Sequence, residues 1–323
     1  MGALSTLLPA HPSKVAAEMP GYGRVIEDAV LAYSEPYFES RTMEVFTQDQ
    51  VLAIRDVVIG DGLPYNRAWF ELEQGYIHST RLQPVQDQRN QPATELGRHS
   101  VLAEVTVPFC DAYHRPSSYS DIAFRYYYGS THWIDLITHD SNGQTWYRVA
   151  DDLRQETYTY VLAENLRLIP QEELQPLSPH IPEEKKRIEV RMLEQMMIAY
   201  EDESPVFITQ CSTGDRYANQ RWVTPTGGYQ TFYKRPSRHM AAGNRAFGDF
   251  DLPGVPWVSY LTIFGIAIHG TYWHNDFGRP RSHGCVNLLP QDAKWVYLWT
   301  LPSVPPHNHL KYQLGHGTRV DIF

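Results

Sequence analysis

The most informative stretch of the sequence, near the C-terminus, is Ser282-His283-Gly284-Cys285-Val286-Asn287. A histidine, His269, lies sixteen residues ahead of the cysteine and is followed by Gly270 and Thr271. A cysteine with a nearby histidine suits covalent acyl transfer, because the thiolate attacks a carbonyl while an imidazole takes up the proton. Backbone N–H groups beside the cysteine can then bind the oxyanion. The glycine before the cysteine leaves room for the carbonyl to approach the sulfur.

Two histidines are candidates for the base. The apolar run Ile266, Ala267 and Ile268 leads into His269, so this histidine is predicted to lie at the end of a buried strand. His283 precedes Cys285 by two residues, and in a strand the two side chains would share a face. The thiol and imidazole either rest as a thiolate–imidazolium pair or exchange the proton only during attack.

A zinc site is the alternative reading of the same residues. His269, His274, His283 and Cys285 would satisfy the number of ligands that zinc requires. Their spacing, however, matches no helix-borne zinc pattern. In a closed Cys-His site the cysteine would also be bound to the metal and could not act as a nucleophile. We therefore predict neither a metal nor a cofactor.

Taken together, these motifs resemble the signature of the L,D-transpeptidases, cysteine enzymes that cross-link or trim bacterial peptidoglycan stem peptides. Four further stretches resemble landmarks of that catalytic domain, namely 187–200, 211–214, 224–227 and 317–322. Cys211 stands where the family commonly has a small aliphatic residue, and a buried cysteine behaves as a small hydrophobe. The resemblance covers residues 185–323 and implies a β-sandwich catalytic domain there.

The resemblance also implies roles for individual residues. Cys285 would be the nucleophile and His269 the base, oriented by the carbonyl of Gly270, while His283 and Gly284 would lie near the oxyanion. The residues expected to line the substrate cleft are Tyr260, Trp273, His274, Asn275, Arg279, Arg281, Ser282 and Asn287. For Asn287 a purely structural role is an equal alternative.

The implied reaction is attack on the carbonyl of the third residue of a tetrapeptide stem, with release of D-Ala. Capture by an amine of a neighbouring stem would give a cross-link. Capture by water would make the protein an L,D-carboxypeptidase, and capture by a protein amine would attach that protein to the wall. The sequence leaves the acceptor and the third stem residue open. A non-catalytic wall-binding protein is the remaining alternative, against which the intact Cys285, His269 and His283 argue.

Composition favours a mainly β protein outside the cytoplasm. Aromatic residues make up 13% of the 323 residues, including 21 Tyr and 8 Trp, which suits strands. No apolar run reaches the ~18 residues of a membrane-spanning helix, and no secretion signal is visible. A peptidoglycan substrate nevertheless places the expected enzyme in the cell envelope. Three cysteines leave at least one free thiol, for which Cys285 is the candidate.

Charge is distributed unevenly. Residues 1–185 carry 14 Lys and Arg against 26 Asp and Glu, whereas residues 186–323 carry 14 against 11. A local basic excess lies between 215 and 245, formed by Arg216, Arg221, Lys234, Arg235, Arg238 and Arg245. It is either a solvated loop or a basic flap that attracts the carboxylates of a stem peptide. A chain this acidic is a poor partner for nucleic acid, and we expect a monomer.

The first half contains a degenerate repeat. Trp69, Tyr76 and Leu82 recur as Trp146, Tyr160 and Leu166, and an Asn-Gly pair at 142–143 predicts a hairpin turn. This pattern resembles bacterial SH3-like modules, which are small β-barrels that could bind wall glycan. One irregular β domain is the alternative.

Composition also predicts the domain boundaries. We expect an N-terminal arm at 1–40 with a helix near 24–33, SH3-like modules at 41–86 and 100–170, and a catalytic domain at 185–323. Residues 171–184 are rich in Pro and Glu, which predicts a semi-rigid linker that few contacts cross.

Overall fold

The computed structural model describes residues 21–154, 156–215, 223–242 and 250–323. Over these residues the chain is mainly β, as the sequence predicts, with twenty-five strands in five sheets and a single α-helix. No helix in the described ranges is long and apolar enough to cross a membrane.

The first unit has eight strands and a 3-10 helix. Its elements are β1 (Tyr22–Val25), β2 (Ala29–Tyr33), β3 (Thr42–Thr47), β4 (Val51–Ala53), β5 (Asp56–Leu63), β6 (Asn66–Leu72), β7 (Gly75–His78), η1 (Ser79–Arg81) and β8 (Leu82–Val85). They form sheets of order β4-β1-β8 and β3-β2-β7-β6-β5. The predicted helix near 24–33 is wrong, and so is the arm from residue 21 onward. Burial alternates along β2, so this stretch forms a strand with one face on the core of the unit. Residues 1–20 lie outside the described part of the chain.

The second unit repeats this topology in one sheet. Its elements are β9 (Val101–Val105), β10 (Phe109–Tyr113), β11 (Ile122–Tyr127), β12 (Thr131–His139), β13 (Thr145–Ala150), β14 (Tyr158–Leu162), η2 (Ala163–Asn165) and β15 (Leu166–Leu168). The order β11-β10-β14-β13-β12-β9-β15 equals that of the first unit when β12 is matched to β4 and β5. The predicted hairpin turn is confirmed, since β12 pairs with β13 across residues 140–144, and Gly143 has φ 77°.

The Trp-Tyr-Leu repeat falls on equivalent strands of the two units. Trp69 and Trp146 lie on β6 and β13, and both are completely buried. A clearer repeat escaped the sequence analysis: Ala-Tyr-x-x-Pro occurs at 32–36 and again at 112–116. Each unit has a hydrophobic cluster of its own. The described strand pairings close neither unit into a barrel, so the SH3-like barrels are not confirmed.

The C-terminal segment is a sandwich of two five-stranded sheets. The strands of the first, in the order β18-β17-β16-β25-β19, are β16 (Lys186–Arg191), β17 (Met196–Glu201), β18 (Ser204–Gln210), β19 (Gly227–Gln230) and β25 (Arg319–Ile322). Those of the second, in the order β23-β22-β21-β20-β24, are β20 (Tyr233–Ala242), β21 (Phe250–Tyr260), β22 (Ala267–Gly270), β23 (Val286–Leu288) and β24 (Lys311–Tyr312). The α-helix, α1 (Pro290–Trp299), packs against β21 and β22.

Two buried lysines bind the C-terminal end of α1. Lys234 Nζ donates to the carbonyls of Tyr297 (2.5 Å) and Thr300 (2.7 Å), and Lys186 Nζ donates to that of Trp299 at 3.0 Å. These carbonyls have no partner within the helix, and the negative end of the helix dipole favours a cation. The helix that supports β22 is therefore fixed to both sheets.

The segment predicted to be a loose linker is packed against the sandwich. It contains two short 3-10 helices, η3 (Gln171–Leu174) and η4 (Glu183–Lys185). Leu174 is buried in the core cluster of the sandwich, and the N–H of Leu177 donates to the carbonyl of Leu298 at 2.9 Å. The expectation that few contacts cross this boundary is wrong. The reason is that apolar residues spaced among the prolines pack into the core of the sandwich and hold the segment against it.

Candidate active site

The nucleophile and base candidates are brought together by two adjacent strands. β22 and β23 pair in parallel, with Ile268 opposite Val286 and His269 opposite Asn287. Cys285 immediately precedes β23, so the register places it diagonally across from His269. Sequence analysis placed His269 at the end of a buried strand, and the structure confirms this.

His269 is held in its neutral form. Its ring is buried, and Nδ1 lies 2.9 Å from the carbonyl oxygen of Gly270, to which it donates as the Nδ1–H tautomer. Burial lowers the pKa of His269 to about 4, against an opposing contribution from that hydrogen bond. Nε2 is therefore an acceptor at neutral pH, as a general base requires. Gly270 cannot carry a side chain, because a Cβ would lie 2.8 Å from Pro256.

The Cys285 thiol is protonated in this environment. Burial raises its pKa to about 11, although the residue is partly exposed, and a backbone hydrogen bond from Ala267 opposes the shift. The sulfur lies 3.6 Å from the carbonyl oxygen of Gly265. The structure thus favours proton transfer during attack over a resting thiolate–imidazolium pair.

Two hydroxyl groups shape the loop that carries the cysteine. Ser282 Oγ accepts from the N–H of Gly284 at 3.1 Å and donates to the carbonyl of Cys285. Thr224 Oγ1 donates to the carbonyl of Gly284 at 2.9 Å. Gly284 has φ 109°, a conformation that other residues rarely adopt. His283 and Cys285 lie in this bend, not in a strand, so the predicted shared strand face is wrong.

Both residues nevertheless line one cleft of about 390 Å³. Eight sequence-predicted residues contribute to its walls: His269, Trp273, His274, Arg281, Ser282, His283, Cys285 and Asn287. The rest of the lining consists of Met240, Phe250 and Leu252 from the β20–β21 hairpin. Residues 243–249, between these two strands, lie outside the described chain.

Residues 185–322 match the family model of the L,D-transpeptidase catalytic domain (YkuD). This segment is an L,D-transpeptidase catalytic domain. The match covers less than half of the chain, and the first 184 residues lie outside it.

Several solved L,D-transpeptidases are similar to this chain. A mutant enzyme of Enterococcus faecium shares 22% identity over 43% of this chain and 50% of its own, with a TM-score of 0.33. The catalytic domain of the E. faecium enzyme acylated by ertapenem shares 22% identity over 43% and 97%, with a TM-score of 0.32. An enzyme from Mycobacterium smegmatis shares 13% identity over 84% and 99%, with a TM-score of 0.35. This chain spans about half the length of the first E. faecium enzyme. No curated protein sequence matches it.

Within the L,D-transpeptidase domain, His274 and Asn287 support the cleft from behind. His274 Nδ1 accepts from the N–H of Asp276 at 3.3 Å, and its Nε2 lies 2.9 Å from Asn287 Nδ2. Because Nε2 must then carry the proton, the Asn287 amide is better rotated to place its oxygen there. That rotation also gives a partner to Oδ1, which is otherwise buried and unsatisfied. Both nitrogens of His274 are thus engaged, which disfavours the zinc alternative.

Two arginines of the cleft region share one carboxylate. Asp276 is buried, and its Oδ2 lies 3.2 Å from Arg279 Nε and 3.5 Å from Arg281 Nη1. Arg281 lines the cleft and Arg279 does not. Among the described arginines, Arg281 is therefore the one that lines the cleft.

The remaining predicted cleft residues lie elsewhere. Asn275 lines a separate cavity and donates to the carbonyl of Ser79 at 2.9 Å. Tyr260 packs in the same apolar cluster as Cys285 and stacks on Tyr233 at 4.9 Å, outside the cleft lining.

The predicted basic flap is not formed by the described arginines and lysine. Lys234 is buried against α1, while Arg235 and Arg238 pair with Asp152 of the second unit at 3.1 and 2.7 Å. All three lie on β20, because the strand continues through the basic stretch. Arg216, Arg221 and Arg245 lie outside the described residues.

Sequence analysis missed two parts of the site. No sequence motif marks the apolar wall from β20 and β21, because Met240, Phe250 and Leu252 are residue types common in any strand. Thr224 was noticed only as a landmark, although a Thr-Pro-Thr-Gly stretch already indicates a turn with a free hydroxyl.

Proposed function

We propose that this protein is a peptidoglycan L,D-transpeptidase in which Cys285 is the nucleophile and His269 the general base. The observation that carries the proposal is the pairing of a protonated thiol with a buried neutral imidazole beside one cleft. The fixed Nδ1–H tautomer of His269 points its basic nitrogen away from Gly270.

The reaction proceeds by acyl transfer through a thioester. His269 Nε2 takes the thiol proton as Sγ bonds to the carbonyl carbon of the third residue of a tetrapeptide stem. The oxyanion is bound by backbone N–H groups of the 283–285 bend. The N–H of Gly284 is already bonded to Ser282 Oγ, which leaves those of His283 and Cys285 as the favoured donors. The carbon–nitrogen bond then breaks, and D-Ala leaves with the proton from His269.

The second half of the reaction regenerates the thiol. An amine of a neighbouring stem attacks the thioester carbonyl and loses its proton to His269. The carbon–sulfur bond then breaks, the new amide forms, and His269 returns the proton to the sulfur of Cys285. Because the cleft wall of Met240, Phe250 and Leu252 is apolar, it favours an amine acceptor over water. The substrate places the enzyme outside the cytoplasm, in the cell envelope.

The test is release of D-Ala from a stem tetrapeptide, followed together with adduct formation by a carbapenem. We expect Cys285→Ala to abolish both, because no other group supplies the covalent step. Cys110→Ala and Cys211→Ser are matched controls, since both thiols are buried outside the cleft and should leave both reactions intact.

The products separate the possible acceptors. A cross-linked dimer from tetrapeptide and acceptor stem is the expected product, whereas tripeptide alone would indicate an L,D-carboxypeptidase. Turnover that survives in the Cys285 variant would rule out the proposed mechanism. A wild-type protein that forms no carbapenem adduct would favour a non-catalytic wall-binding protein.

A further inference from the structure

The loop between base and nucleophile rests on the first N-terminal unit. Residues 271–281 have no regular secondary structure and connect β22 to the cysteine bend. Three of their groups are bound by the unit at residues 21–85, and each contact joins parts of the chain about 200 residues apart. The unit therefore borders the catalytic machinery directly.

The first contact is made by a buried arginine. Arg24, 2% exposed, donates through Nη2 to the carbonyl oxygen of Tyr272 at 2.7 Å. Tyr272 follows His269 by three residues, and its hydroxyl donates to the carbonyl of Pro253 on β21 at 2.8 Å. Arg24 thus fixes the chain just beyond the base.

The geometry of this arginine is itself fixed. Its guanidinium also donates to Asp49 Oδ1 at 2.7 Å and to Gln83 Oε1 at 2.8 and 3.1 Å. It lies over the ring of Tyr127, 4.1 Å from the centroid. Asp49 in turn accepts from Arg125 of the second unit at 2.9 Å. The planar guanidinium presents five N–H donors in fixed directions, so it can bond to all of these partners at once. The ammonium group of a lysine could not.

The second contact reaches the cleft through a carboxylate. The hydroxyl of Tyr65 donates to Asp276 Oδ1 at 2.7 Å, and the other oxygen of Asp276 faces Arg281. Tyr65 is half-buried, and its ring packs so closely that a Cβ on Gly278 would lie 3.0 Å from it. Tyr65 therefore orients the carboxylate that holds Arg281 in the cleft.

We propose that Arg24 and Tyr65 are positioning residues of the active site. Arg24 holds the backbone beyond His269, and Tyr65 orients Arg281 through Asp276. The Asn275–Ser79 contact holds the loop between these two points. The first unit is then an integral support of the catalytic loop and not a tethered wall-binding module. This inference rests on the proposed acyl-transfer function.

Tyr65→Phe tests the route to Arg281, since it removes one hydroxyl and keeps the ring packing. We expect the KM for a stem tetrapeptide with free carboxylates to rise about 3- to 10-fold, with kcat within about 2-fold. The same stem with its carboxylates amidated should show no change, because it cannot use Arg281. A merely structural effect would lower activity on both substrates equally.

Arg24→Met tests the support of the base. We expect its rate of acylation by a small carbapenem to fall about 10- to 100-fold, because small misplacements near a reacting group are costly. Arg24→Lys keeps one donor for the Tyr272 carbonyl and should recover part of the rate. Arg55→Ala is the matched control in the same unit, since Arg55 pairs with Glu73 at 3.6 Å on the exposed surface.

The outcomes separate this inference from the proposed function. A wild-type protein that is not acylated refutes the proposed function. A wild-type protein that reacts, with a Tyr65 variant whose KM is unchanged for both stems and an Arg24 variant acylated at the wild-type rate, refutes the positioning role. Should the Arg24 variant fail to fold, the Tyr65 comparison alone decides.

Discussion

At the scale of single residues, desolvation decides the chemistry of the site. His269 and Cys285 are both shifted towards their neutral forms, since each loses water without gaining a charged partner. His283, the other candidate base, is exposed at the cleft, and partial burial lowers its pKa. In the proposed mechanism, the proton therefore moves from Cys285 to His269 during attack. Reactivity towards small reagents that need a preformed thiolate should be low.

The first prediction follows from this. In a Cys110→Ala, Cys211→Ser background, alkylation of Cys285 by iodoacetamide should be slower at pH 7 than that of a free cysteine of pKa ~8.5. Because only the thiolate reacts and the pKa is raised to about 11, the rate should keep rising with pH well beyond 9. Mass spectrometry across pH 6–11 measures the profile. A midpoint below 8 would instead indicate a resting thiolate–imidazolium pair.

At the scale of elements, the second unit binds the β20–β21 hairpin of the sandwich through a buried histidine. His239 on β20 lies between Asp151 of the second unit, 2.9 Å away, and Asp251 of β21. Burial lowers the pKa of His239, but the hydrogen bonds to the two carboxylates outweigh burial and raise it overall. In its protonated form, which the two carboxylates favour, the imidazole donates to both of them and joins the β20–β21 hairpin to the second unit.

The second prediction concerns the pH dependence of stability. A raised folded-state pKa stabilises the fold fully below the unfolded value of about 6.5, and this contribution is lost as pH rises through the folded value. His239→Gln should cost about 1–3 kcal/mol at pH 6, because it removes a charged hydrogen-bond donor, and less at pH 9. Urea unfolding at both pH values measures the difference.

The control for this variant is His139→Gln, which changes an exposed histidine on β12. It should leave the pH dependence of unfolding unchanged. A His239 variant whose loss of stability is the same at pH 6 and pH 9 would mean that protonation of this histidine does not hold the hairpin.

At the scale of the whole molecule, the core of the sandwich extends into the second unit and the segment that follows it, although the second unit also has a cluster of its own. Leu102, Trp133, Ile169 and Leu174 belong to the same buried cluster as Ile188 and the other core residues of the sandwich. Polar contacts reinforce it: Ser237 Oγ donates to the carbonyl of Thr131 at 2.5 Å. The chain is thus built as a continuous body over these regions, unlike the modular arrangement that composition predicts.

The third prediction is that residues 185–323 do not fold stably alone. Each large buried side chain removed from a core costs about 2–5 kcal/mol, and four are lost with the second unit and the linker. That total rivals the 5–15 kcal/mol of a typical domain. Calorimetry of the full chain should show one cooperative transition for the second unit and the sandwich. If the isolated fragment 185–323 unfolded at the same temperature as the full chain, the catalytic domain would be an independent module.

Residue pattern alone identified the family of the C-terminal segment and predicted much of the local structure. The Ser-His-Gly-Cys-Val-Asn stretch and His269 identified the catalytic segment, because covalent catalysis constrains residue type and close spacing. The turn at Asn142-Gly143 and the repeated tryptophans followed from backbone preference and strand periodicity. These features depend on neighbours along the chain.

The dependence of the parts on one another comes from long-range contacts in the folded chain. Leu174 in a proline-rich segment, Lys234 in a basic stretch and Arg24 in a presumed arm all read as surface residues, yet all are buried. Each has partners far away in sequence, and burial of a charge is tolerated only where such partners meet it. Periodicity and composition do not predict such long-range contacts. The contacts by which the first unit supports the catalytic loop could therefore be found only in the folded chain.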